Sequence, residues 1–399
     1  SCVMNKFLIT ILMLIVCACS SKPSKTAVDI ERIPVEVSNA TSDASSFIEK
    51  IEIIPLETTD SSLMSGYRKT IYDKNMDIYA IYGKDQVVQT FSGKGEFIGS
   101  SRKMKGDGPQ EYNMVVDIKF NPYLKGIDLL SPYGTIYTYS STFELIAKRT
   151  VKTDFYFNTL MALSADDYVF VTPPIWTDQE IIFVNLKTQQ SEIANYSGTI
   201  SSNNTMDREC FYKNGDNLYF VPHGINYYFY QLDEKKKELI PVIYLDFGDF
   251  EIKEGGLPGV AVGKRTGTER TKTDSERDRL SKGMRQRAQY IRESALVVPL
   301  VKFFNDDYVY IYFARGRTGF GGNYIYNRKK KEGFVLNEGK PFIMQPCFGV
   351  VDNVLMSIAD PYYVSRLVDT RLMLPEEISK MERLNEDDNP VILKYYLRK

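Results

Sequence analysis

The 399-residue sequence contains one Trp and one His. A lone imidazole argues against a zinc centre built on His ligands, and with no nucleophile-elbow motif present it argues against a Ser-His-Asp triad as well. Charge of a single sign is also missing. Fifty Lys and Arg stand against 51 Asp and Glu, leaving a formal charge of −1, where a nucleic-acid partner would demand a basic surface. Long apolar runs are absent beyond the first twenty residues, so no later segment is long enough to cross a bilayer as a helix. Cysteines number five, three of them crowded at the start of the chain. The other two, Cys210 and Cys347, lie in apolar strand-like surroundings and read as buried free thiols, with a disulfide between them as the alternative. What the chain has in quantity is Tyr and Phe, 28 and 22 residues, which suit half-buried strands.

The N-terminal segment places Lys6 ahead of the apolar run FLITILMLIV and then Val16-Cys17-Ala18-Cys19. A positive start, an apolar stretch of roughly ten residues and a small residue before the cut make a secretory signal, here residues 1–18. The segment resembles a bacterial lipobox, which implies lipidation of Cys19 and a membrane tether. The polar stretch after it, SSKPSKTAVD and onward to residue 46, reads as a flexible tether. Ser20 and Ser21 follow Cys19 in place of an acidic residue, and the resemblance to envelope lipoproteins then implies an outer-membrane lipoprotein that faces the periplasm.

From Ile51 onward the chain repeats one grammar: an apolar run of a few residues, a turn, another run, with almost no helical periodicity. VVDIKFN, GIDLLSP, TIYTYS and FELIAKRTV form one four-strand unit, and similar units recur about every 40 residues. The last unit is one strand short, and FIEKIEIIPLET near the start supplies it. The expected fold is therefore all-β: a six-bladed β-propeller of four-stranded antiparallel blades over residues 47–399. Pairing of Ile51–Leu56 with Val391–Tyr396 closes the ring. A helical insertion before the fifth blade, capped by Thr273 or Asp274, and a short helix over Leu374–Leu384 in the sixth complete the plan.

IEIIPLETTD, GEFIGSSRKMKGDGPQEYNMVVDI and NPVILKYYLRK together resemble the six-bladed β-propeller lipoproteins of Bacteroides-like bacteria, which are similar to NHL-repeat proteins. The most specific piece is Gly106-Asp107-Gly108-Pro109-Gln110-Glu111-Tyr112, near a G-x-G-P-G-E-Y block, with Gln110 where that block has Gly. The resemblance implies a fold and an envelope location and carries no catalytic residues.

Loops between blades, and between the second and third strands of a blade, share one end of a propeller, and here they are the long ones. Binding residues concentrate on such loops. The candidates on that end are Trp176, His223, Arg315 and Arg317, with Tyr227 and Asp107 behind them. Arg recognises carboxylates, sulfates or phosphates, and Trp or Tyr stacks on sugars or aromatic groups. Each has a structural alternative: hydrogen bonding for His223, blade capping for Trp176, solvated loop charge for the two arginines, turn formation for Asp107. Glu111 reads as an acceptor for the backbone donors of its own turn.

The leading functional reading is a membrane-tethered, non-catalytic binding or scaffold propeller that recognises a peptide, glycan or partner protein, with no cofactor. The rival is a propeller enzyme of lactonase, lyase or hydrolase type. It would use a carboxylate-bound divalent ion such as calcium, held by Asp107, Asp117, Asp178 and Asp207 around the channel. A third class, a structural member of a membrane complex, calls for a large apolar patch.

Overall fold

The computed structural model describes residues 29–41, 43–153, 156–173, 181–194, 209–259, 274–317, 321–336 and 344–399. The signal segment and Cys19 lie outside the described residues. Three strands come first: β1 (Glu31–Pro34), β2 (Ala40–Thr41) and β3 (Ile48–Pro55). Blade 1 follows as β4 (Tyr67–Asp73), β5 (Ile78–Gly83), β6 (Val88–Ser92) and β7 (Phe97–Ser100), and blade 2 as β8 (Asp117–Asn121), β9 (Gly126–Leu130), β10 (Thr135–Tyr139) and β11 (Leu145–Thr150). Blade 3 is β12 (Thr159–Ala162), β13 (Asp167–Val171), β14 (Ile181–Asn185) and β15 (Ser191–Ile193); blade 4 is β16 (Phe211–Asn214), β17 (Asn217–Phe220), β18 (Tyr228–Asp233) and β19 (Glu238–Asp246). Helix α1 (Asp274–Glu293) precedes blade 5, which is β20 (Val297–Phe304), β21 (Tyr308–Arg315), β22 (Gly321–Asn327) and β23 (Glu332–Leu336). Blade 6 has β24 (Gly349–Val351) and β25 (Val354–Ala359), then α2 (Pro375–Glu382) and β26 (Val391–Leu397), with β3 as its outer strand. Six blades of antiparallel meander, closed by the chain ends, match the architecture expected from the sequence.

The core is a set of six apolar seams, one between each pair of neighbouring blades. Tyr139, Ile118 and Val88 mark the seam of blades 1 and 2, and Leu160, Phe170 and Ile136 that of blades 2 and 3. Tyr79, Phe91, Met356 and Ile392 fill the seam of blades 6 and 1, which exists only because the ring is shut. Strands whose faces both meet a neighbouring blade are buried over nearly their whole length, as in β9 and β13, while outer strands such as β11 alternate in exposure.

Closure is an antiparallel ladder running from Val391 opposite Pro55 to Leu397 opposite Ile48. Ile48, Ile51 and Ile53 are fully buried, each worth roughly 1.5–3 kcal/mol of transfer free energy. The outer edge of β3 is covered: Glu377 of α2 accepts from the Ile53 N–H at 2.8 Å and is itself held by Lys380 at 2.5 Å. A side-chain acceptor at an exposed ladder position blocks further strand pairing.

One expectation needs correcting. Part of the stretch read as a tether belongs to the propeller. β1 pairs in parallel with the outer strand of blade 4, and β2 pairs in parallel with that of blade 5, before β3 completes blade 6. Ile33 and Val35 enter the seam of blades 4 and 5, and Arg328 grips Glu31 at 2.5 Å. Four residues bounded by Pro34 and a two-residue strand carry too little apolar pattern to announce strands.

The two ends of the ring differ. Turns joining first to second and third to fourth strands are tight, with Asp77, Lys125, Lys237, Lys331 and Asp352 at positive φ. The other end carries the crossovers, α1 and α2.

Deleting residues 390–399 removes β26 and with it the partner of β3. Thermal unfolding of the truncated chain is expected to start far below that of the full chain. Equal melting would refute closure.

Candidate functional site

Inner strands begin at the crossover end, and there four blades contribute polar side chains to the channel mouth. Lys69 comes from β4, Asp117 and Lys119 from β8, Thr159 from β12, and Glu209 precedes β16. The Lys69 ammonium contacts Asp117 Oδ1 and lies 2.6 Å from Glu209 Oε1, while Glu209 Oε2 contacts the Lys119 ammonium. Asp117 Oδ2 accepts from Thr159 Oγ1 at 2.7 Å and from the Leu160 N–H at 3.1 Å, tying blade 2 to blade 3. Lys119 also donates to the Phe211 carbonyl at 2.7 Å. Two ammonium groups thus face two carboxylates, and Lys69 and Asp117 are both buried. Burial and the neighbouring Lys69 push the Lys119 pKa below the usual lysine range, against the opposing pull of Asp117.

His223 sits next to this group. Asn158, one residue before Thr159, directs its amide nitrogen to His223 Nδ1 at 2.9 Å. An amide nitrogen only donates, so Nδ1 accepts and the ring proton belongs on Nε2. His223 is buried, in the loop between the second and third strands of blade 4.

The remaining candidates make internal contacts. Tyr227 donates from its hydroxyl to the Val297 carbonyl at 2.8 Å and accepts from the Ile252 N–H at 2.7 Å, pinning the crossover that leads to blade 5. Arg315 lays its guanidinium 4.7 Å from the centre of the Phe250 ring. Arg317 closes the C-terminal end of α1: its N–H meets the Arg292 carbonyl at 2.6 Å and its Nε the Glu293 carbonyl at 3.0 Å. Gly316 beside it permits that approach, since a Cβ there would lie 2.0 Å from the Ile291 carbonyl. Asp107 accepts from the Asn113 side chain at 2.8 Å. Trp176 lies outside the described residues.

The Gly106–Tyr112 block is a strut between blades 1 and 2. Glu111 Oε2 accepts from the Gly108 N–H at 2.9 Å, the turn-internal role expected for it, and a Cβ on Gly106 would collide with that same oxygen. Tyr112 donates to the Gln86 carbonyl at 2.8 Å, and Tyr139 to the Gln110 carbonyl at 2.7 Å. Gln110 stays out of the left-handed region, so it replaces Gly without strain.

Of the carboxylates considered for calcium, the two described ones lie apart. Asp117 is at the channel mouth with Lys69, Asp107 is in the strut, and Asp178 and Asp207 lie outside the described residues. Among the described residues no three His, Cys, Asp or Glu side chains group to hold a metal ion. Cys210 and Cys347 are free and buried.

Among the described residues, large exposed apolar side chains favour the crossover end: Leu63, Met114, Tyr133, Tyr362, Tyr363 and Leu374 lie there, against Tyr123 and Ile146 toward the opposite end. A cleft of about 340 Å³ beside Tyr362 is lined by Ser365, Arg366, Asn385 and Glu386. The opposite end has a cavity of its own, about 840 Å³, at the outer junction of blades 3 and 4. Among its charged residues, Glu192 pairs with Lys237 at 2.8 Å and Asp167 with Ser164 and Asn185, and Glu234 also lines it.

Residues 30–396 match the family described as Domain of unknown function (DUF4934). The chain belongs to that family. A crystal structure from Bacteroides fragilis NCTC 9343, of a protein named for its inferred export, superposes with a TM-score of 0.68 at 14% identity, covering 93% of this chain and 100% of that one. At that identity the likeness shows the shared propeller fold. The WD40 propeller of Doa1 (TM-score 0.30, 9% identity, 43% of this chain and 50% of that one) and the Pan2 WD40 domain of Neurospora crassa (0.34, 8%, 68% and 65%) align only in part. No curated protein matches the chain. No helix among the described residues is long and apolar enough to cross a membrane.

Sequence reasoning missed Lys69, Lys119, Thr159 and Glu209. Lys at the third position of an inner strand, in YRKTIYD and again in DIKFN, was the available signal.

With its folded pKa lowered, Lys119 binds a proton more weakly in the folded than in the unfolded chain. Stability therefore rises with pH from the folded midpoint toward the ordinary lysine value of about 10.4. Lys119→Met is expected to flatten that rise in urea unfolding at a series of pH values. An unchanged slope would show that Lys119 titrates normally.

Proposed function

We propose that this chain is a non-catalytic binding or scaffold propeller of the cell envelope, tethered through lipidated Cys19 and recognising a peptide, glycan or partner protein at its crossover end. The observation that carries the binding reading is the asymmetry of the two ends. Long loops, both inserted helices and most of the exposed aromatic surface gather around one channel mouth, and tight turns close the other. Exposed Tyr beside polar side chains is the composition of recognition surfaces. The described ionisable groups at the mouth, Lys69, Asp117, Lys119 and Glu209, are paired with one another, an arrangement that holds shape. The lipobox pattern supports the tether, and a structural neighbour named for its export supports an envelope location.

The test is a binding screen of the purified protein against peptide and glycan arrays, repeated with Tyr362→Ser/Tyr363→Ser and with Lys235→Ser/Lys236→Ser at the opposite end. Hits are expected to weaken about tenfold or more in the tyrosine variant, to persist in the lysine variant and to be recovered chemically intact. Loss in the lysine variant alone would move the binding face to the other end, and conversion of the ligand would make the protein an enzyme.

A further inference from the structure

Glu209 differs from the other charged members of the channel-mouth group. Lys69, Asp117 and Lys119 stand in inner strands, whereas Glu209 sits on the crossover ahead of β16. Each of its carboxylate oxygens serves a separate ammonium: Oε1 meets Lys69 from blade 1 at 2.6 Å and Oε2 meets Lys119 from blade 2. The same two-point grip would hold the carboxylate of a bound molecule.

Both ammonium groups keep partners of their own without Glu209. Lys69 retains Asp117, and Lys119 retains the Phe211 carbonyl at 2.7 Å. They therefore stay in position if Glu209 swings away, which is the condition for a preorganised receptor. Charge arithmetic points the same way. With Glu209 removed, two amines face one carboxylate, so Lys119, whose burial already weakens its hold on a proton, keeps its charge only if another anion takes the vacated place. The site then calls for one negative charge, at the end of the ring that carries the long loops.

We propose that the Lys69 and Lys119 ammonium groups form a receptor for a single carboxylate-bearing ligand, and that Glu209 is the built-in occupant which such a ligand displaces. This rests on the reading that the crossover end is the binding face, and it names the chemistry recognised there. An acidic group presented by a flexible partner, a peptide terminus or a sugar acid, meets the requirement equally; the shared feature is the carboxylate. Tethered next to its site, Glu209 acts at a high effective concentration, so a ligand must bring additional contacts to compete with it.

Acetate is the probe. Thermal unfolding of the full chain is followed in sodium acetate and in sodium chloride at matched ionic strength. Glu209→Ala is expected to melt below the unsubstituted protein in chloride and to recover saturably in acetate. Its affinity for acetate should exceed that of the unsubstituted protein by about tenfold or more, because the internal competitor is gone. Glu209→Ala/Lys119→Met, which removes the surplus cation, is expected to show no acetate-specific recovery. Glu209→Gln, which keeps the volume, provides the same measurement if the alanine variant does not fold. Equal responses to acetate and chloride in both single variants, or an acetate response retained in the double variant, would overturn the proposal. Neither result bears on the rim tyrosines, so failure here leaves the choice of binding face to the array experiment.

Discussion

The pairing of β3 with β26 is the constraint on which the rest of the molecule depends. Each blade buries its faces only against its two neighbours, so a single open junction would expose two apolar sheet faces at once. The seam of Tyr79 and Phe91 against Met356 and Ile392 forms because the last blade takes its outer strand from the beginning of the chain. Closure also fixes the channel mouth. Lys69 and Asp117 approach each other across the junction of the first two blades, a junction whose width the intact ring sets.

The first described residues do more than close the ring. They wrap blades 4 and 5 before entering blade 6, so three consecutive blades have covered outer edges: β1 on β19, β2 on β23, and Glu377 of α2 on β3. Among the described residues β7, β11 and β15 carry no additional strand. A pull on the chain upstream of Glu31 would load this strap first, through Arg328 with Glu31 and Asp246 with Arg32, before it reached the closing ladder.

Blade number, strand order and the two helices were legible in the sequence because each is a local pattern, and the closing pair followed from the one strand that the last unit lacked. Alternating or continuous apolar runs separated by turn residues, as in GIDLLSP and YVYIYF, mark strands whatever they pack against. The Gly106–Tyr112 turn was legible for the same reason, since Glu111 bonds within three residues of itself. The channel mouth was not. Glu209 meets Lys69 and Lys119 across 140 and 90 residues of chain, and only the ring geometry brings them together. Arg317 was misleading in a similar way, since its partners are the last carbonyls of a helix that ends 24 residues upstream. The strap was hidden because parallel pairing at an edge draws on backbone hydrogen bonds more than on side-chain pattern.

Native-state hydrogen exchange resolved by residue tests closure most directly. Amides of Ile48–Ile54 and Val391–Leu397 that are bonded in the closing ladder are expected to exchange with the same free energy and the same denaturant dependence as those of the inner strands β8 and β20, showing that the ring opens only when it unfolds. Exchange of the closing ladder at markedly lower free energy, while β8 and β20 remain protected, would show an edge that frays independently and would contradict the account.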